Sequence, residues 1–297
     1  MAEHIPSKVR AWVLAARPKT LPAAVMPVLI GSAVACHDGV FRFLPAFVAL
    51  LCSLLIQIGT NYSNDLLDYK SGADTDDRLG PARAVASRWI SEQEMYWGTL
   101  ITFGATVPLG LYLIAVAGWP VLVIGLFSIS AGIAYTGGPY PLAYNGLGDP
   151  FVFLFFGLVA TIGTYFVQAQ SVTLVAVLAA LPAGGLITNI LVINNYRDIE
   201  TDKQTKKHTL AVILGKGGTR IEYLSLLCLS YMIPVVLVLA GFTSWWVLLP
   251  WISLPLGIRI VVQLYRGSQG LALNPLLEKT AQLSLIYGIL FSLGLVL

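Results

Sequence analysis

Charge is what this sequence has least of. Only 11% of its 297 residues are Asp, Glu, Lys or Arg, against 57% hydrophobic, where a soluble domain carries roughly 25% charged residues. Mean hydropathy is +0.77. So little charge cannot cover a folded surface in water, which excludes a soluble protein and leaves a polytopic helical membrane protein. Cysteine is scarce as well. Cys36, Cys52 and Cys228 are odd in number and sit in apolar surroundings, which excludes a disulfide or thiolate framework and reads as small core residues. His4, His37 and His208 are scattered, so no zinc spacing or catalytic triad can be drawn. The Gly/Pro-rich stretch 135–149 lacks the spacing and the lysine of a P-loop, which argues against nucleotide binding. A net charge of +3 is too small to imply nucleic acid. Lys8 and Arg10 precede an apolar run that Arg17-Pro-Lys19 breaks, a pattern closer to a first membrane helix than to a cleavable signal.

What the sequence has is long apolar runs. Spanning a bilayer takes about 20 mainly apolar residues, and nine such spans can be drawn, over 12–36, 43–68, 93–117, 119–136, 147–168, 172–198, 220–240, 245–265 and 277–296. The expected fold is all-α, a single transmembrane domain over 1–297. Pro18, Pro22 and Pro27 predict a kinked first span. With the N-terminus in the cytoplasm, every Lys and Arg except Arg42 falls on the inner side, as the positive-inside rule requires. The C-terminus is then outside. Two charged inner stretches, 69–92 and 199–219, are long enough to form a cap.

Two polar clusters end apolar runs. Asn61, Asn64, Asp65 and Asp68 are spaced i, i+3, i+4 and i+7 and share one helix face. Asn194, Asn195, Asp198 and Asp202 repeat the pattern: a shift of 130 residues carries Asn64 onto Asn194 and Asp68 onto Asp198. A single such stretch reads equally as a helix cap. Two copies, an even number of spans apart, face the same side and allow one shared site, and the offset suggests two related four-helix halves plus one helix. Carboxylates and carboxamides on one face suit a hard divalent cation such as Mg2+. Lys70, Arg78, Arg83, Arg197, Lys206 and Lys207 ring the clusters. For a lysine taken alone, binding of anionic headgroups is a sufficient reason. Arg83 and Arg197 point further, to a metal-bridged diphosphate. A diphosphate at the mouth of an apolar bundle implies a lipid diphosphate. Tyr62, Tyr69, Tyr135, Tyr140, Tyr144, Tyr196 and the aromatic run 151–156 offer faces for a carbocation, although most such residues serve as core or interfacial belt. Tyr135 is the individual candidate.

Taken together, Asn64-Asp65-x-x-Asp68, Asn194-Asn195-x-x-Asp198-x-x-x-Asp202, Arg17-Pro-Lys-Thr-Leu-Pro22, Asp77-Arg-Leu-Gly-Pro-Ala-Arg83, Tyr135-Thr-Gly-Gly-Pro-Tyr-Pro141, Leu147-Gly-Asp149, Lys207-His-Thr-Leu-Ala211 and Leu273-Asn-Pro-Leu276 resemble the UbiA superfamily of intramembrane aromatic prenyltransferases. Within it they are most similar to the bacterial MenA branch, which prenylates 1,4-dihydroxy-2-naphthoate in menaquinone synthesis. The resemblance implies nine helices around a central cavity that opens to lipid, in a bacterial inner membrane with the active site cytoplasmic. It implies Mg2+ held by Asn64, Asp65, Asp68, Asp198 and Asp202, the four aspartates carrying catalysis. Asn61, Asn64, Asn195, Arg83, Tyr135, Arg197 and Lys207 would bind substrate. The substrates would be a prenyl diphosphate and dihydroxynaphthoate, whose carboxylate is lost as CO2. Two departures stand out. Gly72 occupies the place of a third acid in the first motif, the next acid being Asp74. Leu142 stands where relatives often carry a lysine for the diphosphate, so Arg83 or Lys207 would supply that charge. A naphthoate carboxylate needs a cation, and Arg17 at the inner end of span one suits it better than Lys19 because a guanidinium binds a carboxylate in bidentate fashion. Interfacial snorkelling would equally place an arginine there. Other readings are a different aromatic acceptor, such as 4-hydroxybenzoate or homogentisate, and a lipid or ion transporter. The transporter reading is disfavoured because no drawn span carries an acid at its midplane.

Overall fold

The computed structural model describes residues 6–72, 80, 82–205, 207–267 and 270–297. Among these every regular element is helical: α1 Lys8–Ala15, α2 Pro22–His37, α3 Phe43–Lys70, α4 Glu92–Ala117, α5 Pro120–Ala134, α6 Gly148–Val152, α7 Ala160–Ala169, α8 Leu174–Gln204, α9 Leu210–Leu239, α10 Leu254–Tyr265 and α11 Asn274–Val296. A π-helical turn, Phe153–Val159, joins α6 to α7, and a tighter 3-10 stretch, Trp245–Ser253, leads into α10. Seven of the resulting rods are long and apolar enough to cross a membrane: Phe43–Lys70, Glu92–Ala117, Gly148–Ala169, Leu174–Gln204, Leu210–Leu239, Trp245–Tyr265 and Gly270–Val296. An eighth is the pair Lys8–Thr20 and Pro22–His37, bent by 49°.

The one expected span missing from these, the fourth, is short. α5 has 15 residues, about 22 Å at ~1.5 Å per residue, against a hydrocarbon core of about 30 Å. The Gly/Pro-rich loop ends it early: Gly138 takes φ +83°, a left-handed conformation that glycine adopts without steric cost. On length alone the count of nine is therefore not reached. The inner stretch 199–219 also differs from the cap loop expected there, since α8 runs on to Gln204 and α9 begins at Leu210. The Thr209 side chain caps α9 by accepting from the Val212 amide. Charges at 200–216 mark helix ends that leave the apolar layer, and a helix solvated at its end needs no break there. Gly215, at φ 67° and ψ 176°, kinks α9.

α8 is the central helix, its apolar stretch 72% buried against 17% in α4. Small residues let neighbours approach it closely, as packing inside a bilayer favours. A Cβ on Gly157 of the π turn would sit 2.5 Å from Gly184 Cα, and one on Gly185 would sit 2.7 Å from Ser230 Oγ on α9. Around α8 lie Tyr223, Tyr287 and Phe291, all fully enclosed. A smaller cluster, with Ala11 and Ala15 of α1, Tyr62 and Leu66 of α3, Val85, Ile90 and Met95, packs around the end of α3 that carries the first motif. The two polar motifs thus sit at the ends of α3 and α8.

Candidate active site

The first motif organises its surroundings before it can bind anything. The Asn61 amide donates to the Ala16 carbonyl at 2.9 Å and to Thr20 Oγ1 at 3.2 Å, and the Tyr62 hydroxyl donates to Trp12 O at 3.3 Å. These bonds hold the break between α1 and α2, where Arg17 adopts φ 52° and ψ 68°. Left-handed backbone is costly for a long side chain, so the break is set by its packing and not by local preference. Asn61 is therefore a brace for the Arg17 turn.

Asp65 accepts the amides of Ala84 and Val85, one on each oxygen, both at 3.0 Å. Expected as a metal donor, it pins the turn that carries Arg83. The Arg83 guanidinium forms an ion pair with Asp68 Oδ2, and both side chains are buried. Asp68 Oδ1 accepts from the Tyr144 hydroxyl at 2.6 Å. Asn64 Oδ1 accepts from Thr136 at 2.9 Å, which ties the motif to the turn after α5.

The second motif repeats the theme with different partners. Arg197 grips Asp198 with two bonds of 2.7 Å, from Nε and Nη2. It also donates to Asn194 Oδ1 at 3.0 Å and to Asn274 Oδ1, at the start of α11, at 2.9 Å. Asn195 donates to Asp149 Oδ2 at 3.3 Å. In each half an arginine neutralises the aspartate that the repeat pairs, Asp68 or Asp198.

Three links join the halves. Lys207 Nζ, beyond the second motif, lies 4.6 Å from the centroid of the Tyr144 ring, and Tyr144 is the residue bonded to Asp68. The His208 amide donates to the Tyr144 carbonyl at 2.9 Å. Tyr135 lies close enough to Asp149, Asp68, Asp202 and Arg17 to feel the charge of each. Asp68, Asp202, Arg17, Tyr135 and Lys207 are thus brought into one neighbourhood. Arg78, Lys206 and Asp74 lie outside the described residues.

Among the described residues no three His, Cys, Asp or Glu side chains converge on a single point. The acids are separately engaged, with Asp65 on amides, Asp68 on Arg83 and Asp198 on Arg197. Sequence reasoning passed over Thr136, Asp149 and Asn274 as individual site residues and counted Tyr144 only as an inner-edge aromatic. Tyr144 and Asp149 could have been found from the repeat, because each bonds a motif residue from the same Gly/Pro-rich loop. Asn274 carries a sequence signal only as part of the Leu273-Asn-Pro-Leu276 stretch.

The model of the UbiA prenyltransferase family matches residues 24–286. A protein of Haemophilus influenzae named 1,4-dihydroxy-2-naphthoate octaprenyltransferase is 36% identical over 99% of this chain and 98% of its own length. The apo structure of a UbiA homolog from Aeropyrum pernix superposes with a TM-score of 0.69 at 12% identity, covering 91% of this chain and 96% of that one. That of a UbiA homolog from Archaeoglobus fulgidus bound to DMAPP and Mg2+ superposes with a TM-score of 0.63 at 14% identity, covering 95% and 99%. At such identities the two structures establish the fold. The chain belongs to the UbiA prenyltransferase family and is a multi-pass membrane protein.

Proposed function

We propose that this UbiA-family chain transfers a polyprenyl group from a prenyl diphosphate to 1,4-dihydroxy-2-naphthoate with loss of CO2, giving demethylmenaquinol and diphosphate in menaquinone synthesis. The observation that carries this is the 36% identity, over nearly both full lengths, to a relative whose name states that acceptor. We place the reaction at the inner face of a bacterial cell membrane, with the N-terminus and both motifs cytoplasmic, because the basic residues cluster on that side.

The donor chemistry of Asn64, Asp68, Asp198 and Asp202, all hard oxygens, fits a divalent cation. Mg2+ held there would neutralise charge on the departing diphosphate. Arg83 and Arg197 already face the carboxylates and can turn to phosphate oxygens, for which guanidinium geometry is equally suited. Lys207 lies over Tyr144, within the same neighbourhood, and supplies the cation that Leu142 does not. Asp65 acts at one remove, by fixing the turn that carries Arg83. Tyr135, half-buried among acidic neighbours, presents a neutral aromatic face to an allylic cation. Arg17 is the cation for the acceptor carboxylate. The π turn and its phenylalanines border α8 and exclude water from the apolar route of the prenyl tail, without which an allylic cation would be quenched.

Purified protein assayed with dihydroxynaphthoate, 4-hydroxybenzoate and homogentisate, each with several prenyl diphosphates, tests the reading. Turnover of the naphthoate, with one labelled CO2 released from its carboxyl group per prenylated ring, is expected. Prenylation that retains the label, or that prefers another acceptor, overturns the acceptor while leaving the family standing.

A further inference from the structure

Asp149 is the one buried acid of this neighbourhood that the reading above leaves without a task. Its residue exposure is 3%. Oδ2 accepts from Asn195 at 3.3 Å, whereas Oδ1 is enclosed and has no hydrogen-bond partner. Buried acceptors are rarely left in that condition, and each instance asks for a reason. The setting supplies one. Gly148, its neighbour in the chain, approaches Tyr135 so closely that a Cβ there would sit 3.3 Å from the phenol oxygen. Asp149 therefore lies beside Tyr135, with Asn195 of the second motif on its other side.

Three other motif carboxylates are already engaged. Asp68 is paired with Arg83 and Asp198 with Arg197, and Asp65 accepts two amides. Asp149 has no ion pair, a single side-chain donor in Asn195 and one enclosed oxygen without a hydrogen-bond partner.

We propose that Asp149 is the proton acceptor for the hydroxyl of the aromatic substrate, a role that rests on the prenyl-transfer reading. The ring carbon bearing the carboxylate forms a bond to the allylic carbon as the bond from that carbon to the diphosphate oxygen breaks. The adjacent hydroxyl gives its proton to Asp149 Oδ1, which leaves a ketone beside the quaternary carbon. This β-keto acid loses CO2, the electron pair of the broken C–C bond returns to the ring, and Asp149 hands the proton back to the oxygen. Electrons and protons balance with no outside partner, so the base has to be shielded from water but needs no exit path for its proton. Its enclosure fits that requirement. Asn195 orients the carboxylate. Glu222 of α9 is close enough to feel the charge of Asp149, and is assigned no proton.

The test compares wild type, Asp149→Asn, Asp149→Glu and Glu222→Gln in detergent, each checked for folding by its elution profile and for prenyl diphosphate binding. Asp149→Asn is expected to lower kcat by about 10²- to 10⁴-fold, the range of general acid–base catalysis, with KM for the prenyl diphosphate unchanged. A ring-halogenated dihydroxynaphthoate, whose hydroxyl ionises more readily, should lose much less. Asp149→Glu should recover part of the rate, and Glu222→Gln should behave as wild type toward both acceptors. Three results overturn the proposal: wild-type kcat in Asp149→Asn, an equal loss on plain and halogenated acceptors, or the acceptor dependence moving to Glu222→Gln. If Asp149→Asn fails to fold, the ratio between the two acceptors in Asp149→Glu decides by the same criterion. Wild-type turnover of dihydroxynaphthoate judges the naphthoate reading. The variant-to-wild-type ratio, on whichever hydroxyaromatic the wild type prenylates, judges the base.

Discussion

Arg197 holds Asp198, its immediate neighbour in the chain, through two N–H···O bonds of 2.7 Å. Adjacent residues on a helix do not ordinarily face one another. The guanidinium reaches back round the helix because Asn194 and Asn274 each receive a further N–H group. Asp198 is thereby aimed by three other side chains before any substrate arrives.

That arrangement separates a binding role from a capping one. Asp198→Asn and Asp68→Asn keep shape and remove charge, and each should abolish turnover while the protein elutes as wild type does. A helix cap would tolerate the change, since Asn caps about as well as Asp. Near-normal activity in both variants at saturating substrate would return the motifs to a structural role. Arg197→Lys should fold yet raise KM for the prenyl diphosphate, because an ammonium cannot match both oxygens of a carboxylate or phosphate.

Asp65 should behave differently from Asp68, three residues away. Its two oxygens accept from two backbone amides, and Asn offers only one acceptor. Asp65→Asn should destabilise the turn over 82–90 by about 1–3 kcal/mol, the usual cost of a buried donor left unpaired. Faster proteolysis in that turn and a raised KM for the prenyl diphosphate are expected. Loss of kcat with an intact turn would instead restore Asp65 to the metal.

Much of this was legible in the sequence. The apolar runs located the rods, and the repeated Asn/Asp spacing located their functional ends. What the sequence did not reveal were choices made by tertiary partners. Nothing local distinguishes Asp65 from Asp68, since both lie on the buried face of α3; the partner of Asp65 is a turn nearly 20 residues away, and that of Asp68 an arginine in the same turn. The extension of α8 to Gln204 was hidden because charge was read as loop. The helical ends of 199–219 carry charge because they stand clear of the apolar layer. The short α5 was hidden by its apolar flanks, which look like a span until Gly138 turns the chain.

Arg17 offers a test that separates backbone from charge. Its φ of 52° is one glycine adopts without penalty. Arg17→Gly should therefore fold at least as well as Arg17→Gln, and thermal unfolding checks this. Both lack the guanidinium, and both should raise KM for the aromatic acid more than KM for the prenyl diphosphate. An effect confined to the diphosphate would move Arg17 to the leaving-group side. Normal kinetics in both variants would leave it a snorkelling residue.

Orientation follows from the same bonds that join the two halves. Lys207 rests on Tyr144, and Tyr144 donates to Asp68, so the ends of α3 and α8 must lie on one side of the membrane. The proposed topology puts that side in the cytoplasm, where the positive-inside rule would gather the basic residues. Ser71 follows α3 directly and is exposed, and Thr205 follows α8 and is partly so, which makes both suitable for a single cysteine. The background must lack Cys36, Cys52 and Cys228, of which Cys36 and Cys228 are themselves exposed. Cysteines at 71 and 205 should resist an impermeant maleimide in intact cells and react after permeabilisation. Reaction of either from outside would reverse the topology. Reaction of one alone would break the shared site, because a bundle in which Tyr144 bonds Asp68 and carries Lys207 cannot place its two motifs on opposite faces.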